Sequence, residues 1–378
     1  MQFRDLHKQY LFLKAKIDHA VTQVIAGANY ISGKQVTELE QALAEYVGVK
    51  HCITCANGTD ALSLALEAWN IGPGDAVFVP DFTFFASGET VAFEGATPIF
   101  VDILEDTFNM DPKSLKKAVQ VVKEEGKLTP KAVVSVDLFG QPANYDEILP
   151  IIRENNMLLL EDGAQGFGGD IRGKRACSFG DIATTSFFPA KPLGCYGDGG
   201  AIFTDNDEWA ALIKSLRIHG KGEDKYDNVR IGMNSRLDTI QAAILQVKFD
   251  AFKEYELNDV NKVARRYDEL LKGAVKTPTI LNGFLSSWAQ YSILLKDKEE
   301  RNAVQAHLKE NGIPSMIYYP KGMHSQKAFG EMDCVKVDLS ITESVCDRVL
   351  ALPLHPYMME DEQDKIVEVI KSVVGKSV

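Results

Sequence analysis

The sequence predicts an α/β protein: a large domain on a mostly parallel sheet, residues 1–245, followed by a smaller α+β domain, residues 246–378. Three observations carry that prediction. Short, nearly all-apolar runs recur through the first half, each closed by glycine, proline or a small polar residue. Between them lie segments with apolar residues at helical spacing, and strands alternating with helices imply a parallel sheet covered on both faces. After about residue 245 the texture changes to long charged helices.

The elements follow in order. Residues 10–48 read as amphipathic helix, broken near "AGANYISGK". "HCITCA" is a short strand and "GTDALSLALEAW" a helix. "DAVFVP" is a strand, "TFFASGETVAFEG" a helix and "TPIFVDI" a strand. "AVVSVDLFG", "MLLLEDGA" and "IATTSFF" repeat the strand theme. "KFDAFKEYELNDVNKVARRYDELLKGA" reads as a long helix joining the two domains. Strand "AQYSILL", helix "KEERNAVQAHLKENG", the segment "IPSMIYY" and helix "EDEQDKIVEVIKSVV" make up the smaller unit. No internal repeat, low-complexity tract or flexible linker interrupts this plan.

Bulk properties narrow the function. Of 378 residues, 45% are hydrophobic and 25% charged, as in an ordinary globular enzyme. The formal net charge of −12 argues against nucleic acid and against an anionic membrane surface as partners. It leaves room for a small anionic ligand held by a local cluster of amides and arginines. The N-terminal stretch shows no apolar run of membrane-spanning length and no small-residue cleavage site, so a cytoplasmic location is expected. Cys52 and Cys55 form a C-x-x-C, but no second pair stands at zinc spacing. The pair reads as thiols of a buried strand, and no metal site is predicted.

In parallel sheets ligands bind beyond the C-terminal ends of the strands. Three such places stand out. In "CANGTDALSLAL" a strand ends and a helix opens at Thr59, offering free N–H groups to an anion; a plain Asn-Gly turn with a Thr/Asp cap is the bland alternative. In "MLLLEDGAQGFGG" an apolar strand runs into Glu161 and Asp162, one of which alternates inward; a buried carboxylate there needs a cationic partner, whereas a solvated acidic loop needs none. In "SFFPAKPLGCYGDGG" Lys191 has no charged neighbour for six residues on either side. It is either a snorkelling surface lysine or an amine whose pKa a dry pocket lowers. Together the three supply what pyridoxal 5′-phosphate requires: an anion cradle, a carboxylate for the ring nitrogen and an amine for the aldehyde. "PDFTFFAS" adds Phe82, Phe84 and Phe85 as aromatics to stack on the ring.

These stretches, with "NYISGKQVTELE", "RIHGKG", "IGMNSRLDTIQAAIL", "IYYPKGMHSQKAF" and "LPLHPYM", resemble the DegT/DnrJ/EryC1/StrS sugar aminotransferases, pyridoxal-phosphate enzymes of fold type I. The resemblance spans nearly the whole chain and is strongest to the members acting on UDP-2-acetamido-2-deoxy-3-oxo-glucuronate, which serve surface polysaccharide biosynthesis. It implies that Lys191 forms the Schiff base, that Asp162 pairs with the pyridine nitrogen and that Gln165 sits near the ring hydroxyl. It implies that Gly58, Thr59 and Ser186 hold the phosphate and that Phe84 stacks on the ring. Asn234 would reach the phosphate from the second subunit of a homodimer, with Arg236 near the same shared site. Tyr318, Tyr319 and His324 lie in a segment that lines the sugar pocket in relatives. The implied substrates are a UDP-linked keto sugar and L-glutamate. Two departures stand out: Tyr318-Tyr319-Pro320 where relatives often read His-Tyr-Pro, and "EDGA" in place of a commoner "EDAA". His219 and His355 read as structural.

Other readings make different demands on the chain. A dTDP- or UDP-linked 6-deoxy keto hexose would preserve the aminotransferase and change only the sugar. A sugar dehydratase of the same family carries histidine in place of the lysine, which Lys191 opposes. A non-catalytic regulatory protein would not need the lysine, acid and phosphate motifs intact.

Overall fold

The computed structural model describes residues 1–224, 226–330, 332 and 337–374. Helices α1 (Leu6–Gly27) and α2 (Lys34–Val47) lead into strand β1 (His51–Cys55) and helix α3 (Gly58–Ala68). Then come β2 (Asp75–Pro80), α4 (Ala86–Phe93), β3 (Thr97–Val101), α5 (Pro112–Glu125), β4 (Thr129–Val136), α6 (Tyr145–Glu154) and β5 (Leu158–Asp162). Two short strands, β6 (Asp170–Ile171) and β7 (Lys174–Arg175), precede β8 (Ile182–Ser186), β9 (Gly200–Thr204) and α7 (Asp207–Leu216).

Seven strands form one sheet in the order β1-β9-β8-β5-β4-β2-β3. Pairing is parallel from β3 through β8, whereas β9 runs antiparallel to both β8 and β1. The expected parallel sheet therefore carries one reversed strand. The connection from Phe187 to Gly199 contains no helix, the usual means of a parallel crossover, and the chain returns as an antiparallel neighbour. Alternate residues enter different cores. Val77, Val79, Val134 and Leu160 pack with α3 residues on one face; Phe78, Ile99, Val133 and Leu159 pack with α5 and α6 residues on the other. This is why the strands read as unbroken apolar runs. Cys52 and Cys55 fall on opposite faces, each buried, and are free thiols that cannot share a metal or a disulfide.

The long helix is α8 (Thr239–Ala251) and α9 (Leu257–Leu271), joined through a wider π turn at Phe252–Glu256. Ile244 and Ala251 of α8 pack with Leu13 and Ile17 of α1, while Val260, Ala264 and Tyr267 of α9 belong to the core of the C-terminal part. Packing thus changes hands at the π turn. Beyond it lie β10 (Phe284–Leu285), β11 (Tyr291–Leu294), α10 (Lys298–Glu310), α11 (Ser340–Arg348), β12 (Val349–Leu352) and α12 (Glu360–Val374). β11 and β12 pair antiparallel, and Met316 adds a bridge to Ala351. Met323, Phe329 and Val345 join the core of the large sheet, so this part is docked over the C-terminal strand ends.

Candidate active site

The helix behind β1 opens at Gly58, one residue earlier than expected. Its cap is Asn57, whose side chain accepts from the Asp60 N–H at 2.8 Å. The first backbone bond of the helix runs from the Ala61 N–H to the Asn57 carbonyl, so the Gly58 and Thr59 amides precede the intrahelical ladder and lie at its positive end. The expected Thr/Asp cap is thereby replaced by an asparagine. Ser186, the last residue of β8, stands beside this helix end. A Cβ built on Gly58 would sit 2.8 Å from the Ser186 Cβ, and one on Gly200 would sit 2.5 Å from the Asn57 carbonyl oxygen. Glycine at both positions lets backbone and hydroxyl close into a cradle suited to a phosphate.

Both acids at the end of β5 are buried, which removes the solvated-loop reading. They do different work. Glu161 accepts from the backbone N–H groups of Cys177 (2.5 Å), Phe179 (2.7 Å) and Gly180 (2.9 Å), so it staples the loop before β8. Asp162 accepts from the Ser87 hydroxyl at 2.8 Å and from the Ala164 N–H at 3.2 Å. Burial holds the Asp162 carboxyl above its ordinary range, with Ser87, Ala164 and Lys191 opposing. A cationic ring nitrogen would restore its charge. Nearby the buried Asp137 accepts from the Tyr145 hydroxyl (2.7 Å) and the Ala143 N–H (2.9 Å); burial, then the Glu161 charge, push its pKa up.

Lys191 stands in the turn after β8, with its N–H bonded to the Phe188 carbonyl at 2.9 Å. Burial lowers its pKa, Asp162 raises it and Arg4 lowers it again. Gln165 is held by both ends: its Oε1 accepts from the Phe139 N–H (2.7 Å) and its Nε2 donates to the Tyr319 hydroxyl (3.1 Å). Tyr319, whose own pKa burial raises, meets Phe82 edge to face at 5.7 Å. Lys191, Asp162, Gln165 and Tyr319 are thus brought to one place, beyond the ends of β5 and β8.

The other expected residues sit farther out or are tied elsewhere. Phe82 is buried in the core and Phe85 packs on Phe329, but Phe84 is 56% exposed and open to a ligand. Asn234 is exposed. With Arg236, Ala56, Gly197, Asp198 and Gln241 it lines a cavity of about 420 Å³. Ser235 between them donates to Asp60 at 2.7 Å and accepts from the Ala56 N–H at 3.0 Å, which ties the segment to the cradle's helix. Among the described residues Arg236 makes no ion pair, with Asp238 or any other acid. His324 is engaged within its own chain: Nδ1 lies 2.6 Å from Asp81 Oδ2, its N–H donates to Asp81 Oδ1 at 2.8 Å, and Nε2 meets the Ser325 hydroxyl at 2.8 Å. The Asp81 bond raises its pKa. Tyr318 is half-buried and packs on Phe3. Sequence reasoning missed Ser87 altogether and the capping role of Asn57, and it raised Glu161 only as the alternative to Asp162; Asn57 carried a signal, an asparagine three residues before Asp60.

This arrangement can be set beside known proteins. The model of the DegT/DnrJ/EryC1/StrS aminotransferase family matches residues 12–371. The chain belongs to that family. Among relatives of this aminotransferase is the UDP-2-acetamido-2-deoxy-3-oxo-D-glucuronate aminotransferase of Pseudomonas aeruginosa. It is 44% identical over 361 residues, covering 95% of this chain and 96% of the relative. The crystal structure of a DegT DnrJ EryC1 StrS aminotransferase from Brucella abortus superposes with a TM-score of 0.96 at 48% identity, with all of both chains covered. The Bacillus subtilis NtdA structure, with bound cofactor PMP, matches at TM-score 0.86 and 30% identity, over 96% of this chain and 82% of that one. This sugar aminotransferase has the α/β fold of pyridoxal-phosphate aminotransferases and takes pyridoxal 5′-phosphate as cofactor.

Proposed function

We propose that this aminotransferase moves an amino group from L-glutamate to UDP-2-acetamido-2-deoxy-3-oxo-glucuronate, in the cytoplasm, for surface polysaccharide biosynthesis. The observation that carries the substrate is the 44% identity to the Pseudomonas aeruginosa enzyme along almost the whole of both chains. When bound, pyridoxal phosphate supplies an electron sink that stores the amino group between donor and acceptor. The chain's own residues do the rest. Lys191 offers a nucleophilic amine, because burial and Arg4 favour its neutral form. Asp162, oriented by Ser87, keeps the ring nitrogen protonated. Gln165 would contact the ring hydroxyl, Gly58, Thr59 and Ser186 would hold the phosphate, and Phe84 would stack on the ring.

The active unit in this reading is a homodimer. Asn234 and Arg236 extend to the neighbouring subunit's site, Asn234 to its phosphate and Arg236 to the uronic carboxylate. A guanidinium that pairs with no acid among the described residues suits the second task, since it can grip a carboxylate through two parallel hydrogen bonds. Tyr318, Tyr319 and His324 complete the sugar wall. A transamination assay with glutamate against a panel of UDP- and dTDP-keto sugars tests the reading. The 3-oxo uronate should give the highest kcat/KM. Preference for a dTDP-4-keto-6-deoxy hexose would overturn the substrate assignment.

A further inference from the structure

The N-terminal arm ahead of α1 passes through the junction of the two halves of the chain. The Phe3 carbonyl accepts from the Leu354 N–H at 3.2 Å, and the Phe3 ring meets Tyr318 edge to face at 6.3 Å. One residue on, Arg4 Nη2 donates to the Pro192 carbonyl at 3.4 Å. Pro192 directly follows Lys191. Asp5 then caps α1 through the Lys8 N–H at 2.8 Å. Two neighbouring residues of the arm therefore touch the Tyr318 wall and the loop that carries the amine.

The guanidinium has been taken out of water. Among the described residues Nη1 is buried without a partner, and burial lowers the Arg4 pKa, with Glu256 opposing. Around it stand Glu256 from the π turn, Lys248 from α8 and His355 from the segment after β12. Glu256 is already engaged, accepting from Gln9 Nε2 (2.7 Å) and the Tyr357 hydroxyl (2.6 Å). Lys248 lies over the Tyr196 ring, 4.9 Å from its centroid. A buried, half-paired guanidinium is costly to maintain, and one long bond to a carbonyl does not offset that cost. Its position beside the lysine turn supplies a reason for keeping it.

We propose that Arg4 is a positioning residue for Lys191: the arm delivers a guanidinium behind the lysine turn, where it holds the Pro192 carbonyl and places its positive charge beside the amine-bearing residue. The inference rests on the reading of Lys191 as the cofactor-bearing amine. Two charges face that amine from different elements. Asp162, at the end of β5, favours the ammonium; Arg4, on the arm, disfavours it; the Tyr319 hydroxyl near Asp162 carries no charge at neutral pH. Without Arg4, burial alone must oppose Asp162, and more of the amine is protonated at neutral pH. A protonated amine is no nucleophile.

The test measures the amine itself. The full chain, freed of cofactor, is acylated briefly at a series of pH values, and modification of Lys191 is quantified by peptide mass spectrometry. The same is done for R4M, R4Q and R4K. The midpoint for Lys191 should rise by roughly one pH unit in R4M and R4Q, and return to the wild-type position in R4K. Should R4M fail to fold, R4Q retains a donor for the Pro192 carbonyl and carries the same comparison. An unchanged midpoint in the folded neutral variants, or an R4K midpoint displaced as far as theirs, would overturn the proposal. Because no cofactor is present, the result stands apart from whether Lys191 is the residue that bears it.

Discussion

At the scale of single residues, two adjacent acids divide two tasks. Asp162→Asn removes the charge proposed to face the ring nitrogen but preserves an acceptor for Ser87. Turnover should fall by roughly 10²-fold or more while KM for the sugar changes little. Glu161→Gln should do the reverse. The variant loses a charged acceptor shared by three amides, so thermal denaturation should show a loss of about 1–3 kcal/mol, with near-normal kcat in the folded fraction. Wild-type turnover in Asp162→Asn together with a collapse in Glu161→Gln would mean the roles are reversed. The strand pattern showed acids at an apolar strand's end but not that Glu161 would be tied to the loop before β8 and Asp162 to Ser87. Both are buried, and the difference lies in what comes to meet them: a loop from residues 177–180, and Ser87 from a helix 75 positions earlier. Local pattern does not record such long-range partners.

Two histidines give the fold opposite responses to pH. His355 is buried and its pKa is pushed down to about 4, below the ordinary 6.5. The unfolded chain therefore binds its proton first, and the stability tied to the neutral ring is lost as pH falls from about 6.5 through 4, up to about 3 kcal/mol. His324 is raised by Asp81. Its contribution is fully present below 6.5 and is lost as pH rises through its elevated folded value. Melting curves between pH 5 and 9 should show His355→Phe gaining on wild type toward acid. His324→Gln should gain on wild type toward base. Differences that do not vary with pH would contradict both assignments.

At the scale of elements, the cradle depends on glycine at two close approaches. Gly200→Ala sets a methyl against backbone, the Asn57 carbonyl, which has no flexible end to move aside. The α3 N-terminus must shift, and cofactor retention on dialysis, followed by visible absorbance, should weaken by at least about tenfold, since moving the amides off the phosphate costs more than 1.4 kcal/mol. Retention equal to wild type would place the phosphate elsewhere. Strand and helix positions were largely legible, because a sheet buried on both faces forces unbroken apolar runs such as "DAVFVP". Direction was not. "GAIFT" reads as a short buried strand like its neighbours, and nothing in its own pattern records that β9 runs antiparallel. The packing change at Phe252–Glu256 was equally hidden, since a π turn leaves the helical pattern of the flanking residues intact.

At the scale of the whole molecule, the proposed shared site makes a claim that one chain cannot satisfy. Lys191→Ala and Asn234→Ala should each be inactive or badly impaired as homodimers. Mixed, they should recover part of the activity, because one of the two sites in a heterodimer then has both residues intact. Verified heterodimers with no recovery would contradict sharing. Arg236→Lys preserves charge but loses the forked geometry, so KM should rise more for a uronic sugar than for a 6-deoxy one. The whole account turns on the amine at Lys191, where the strand-end acid, the cradle and the docked C-terminal part converge. Borohydride reduction of the cofactor-loaded protein, followed by peptide mass spectrometry, tests it most directly. The account predicts one reduced adduct, on Lys191, absent from Lys191→Ala; an adduct on any other lysine would contradict it.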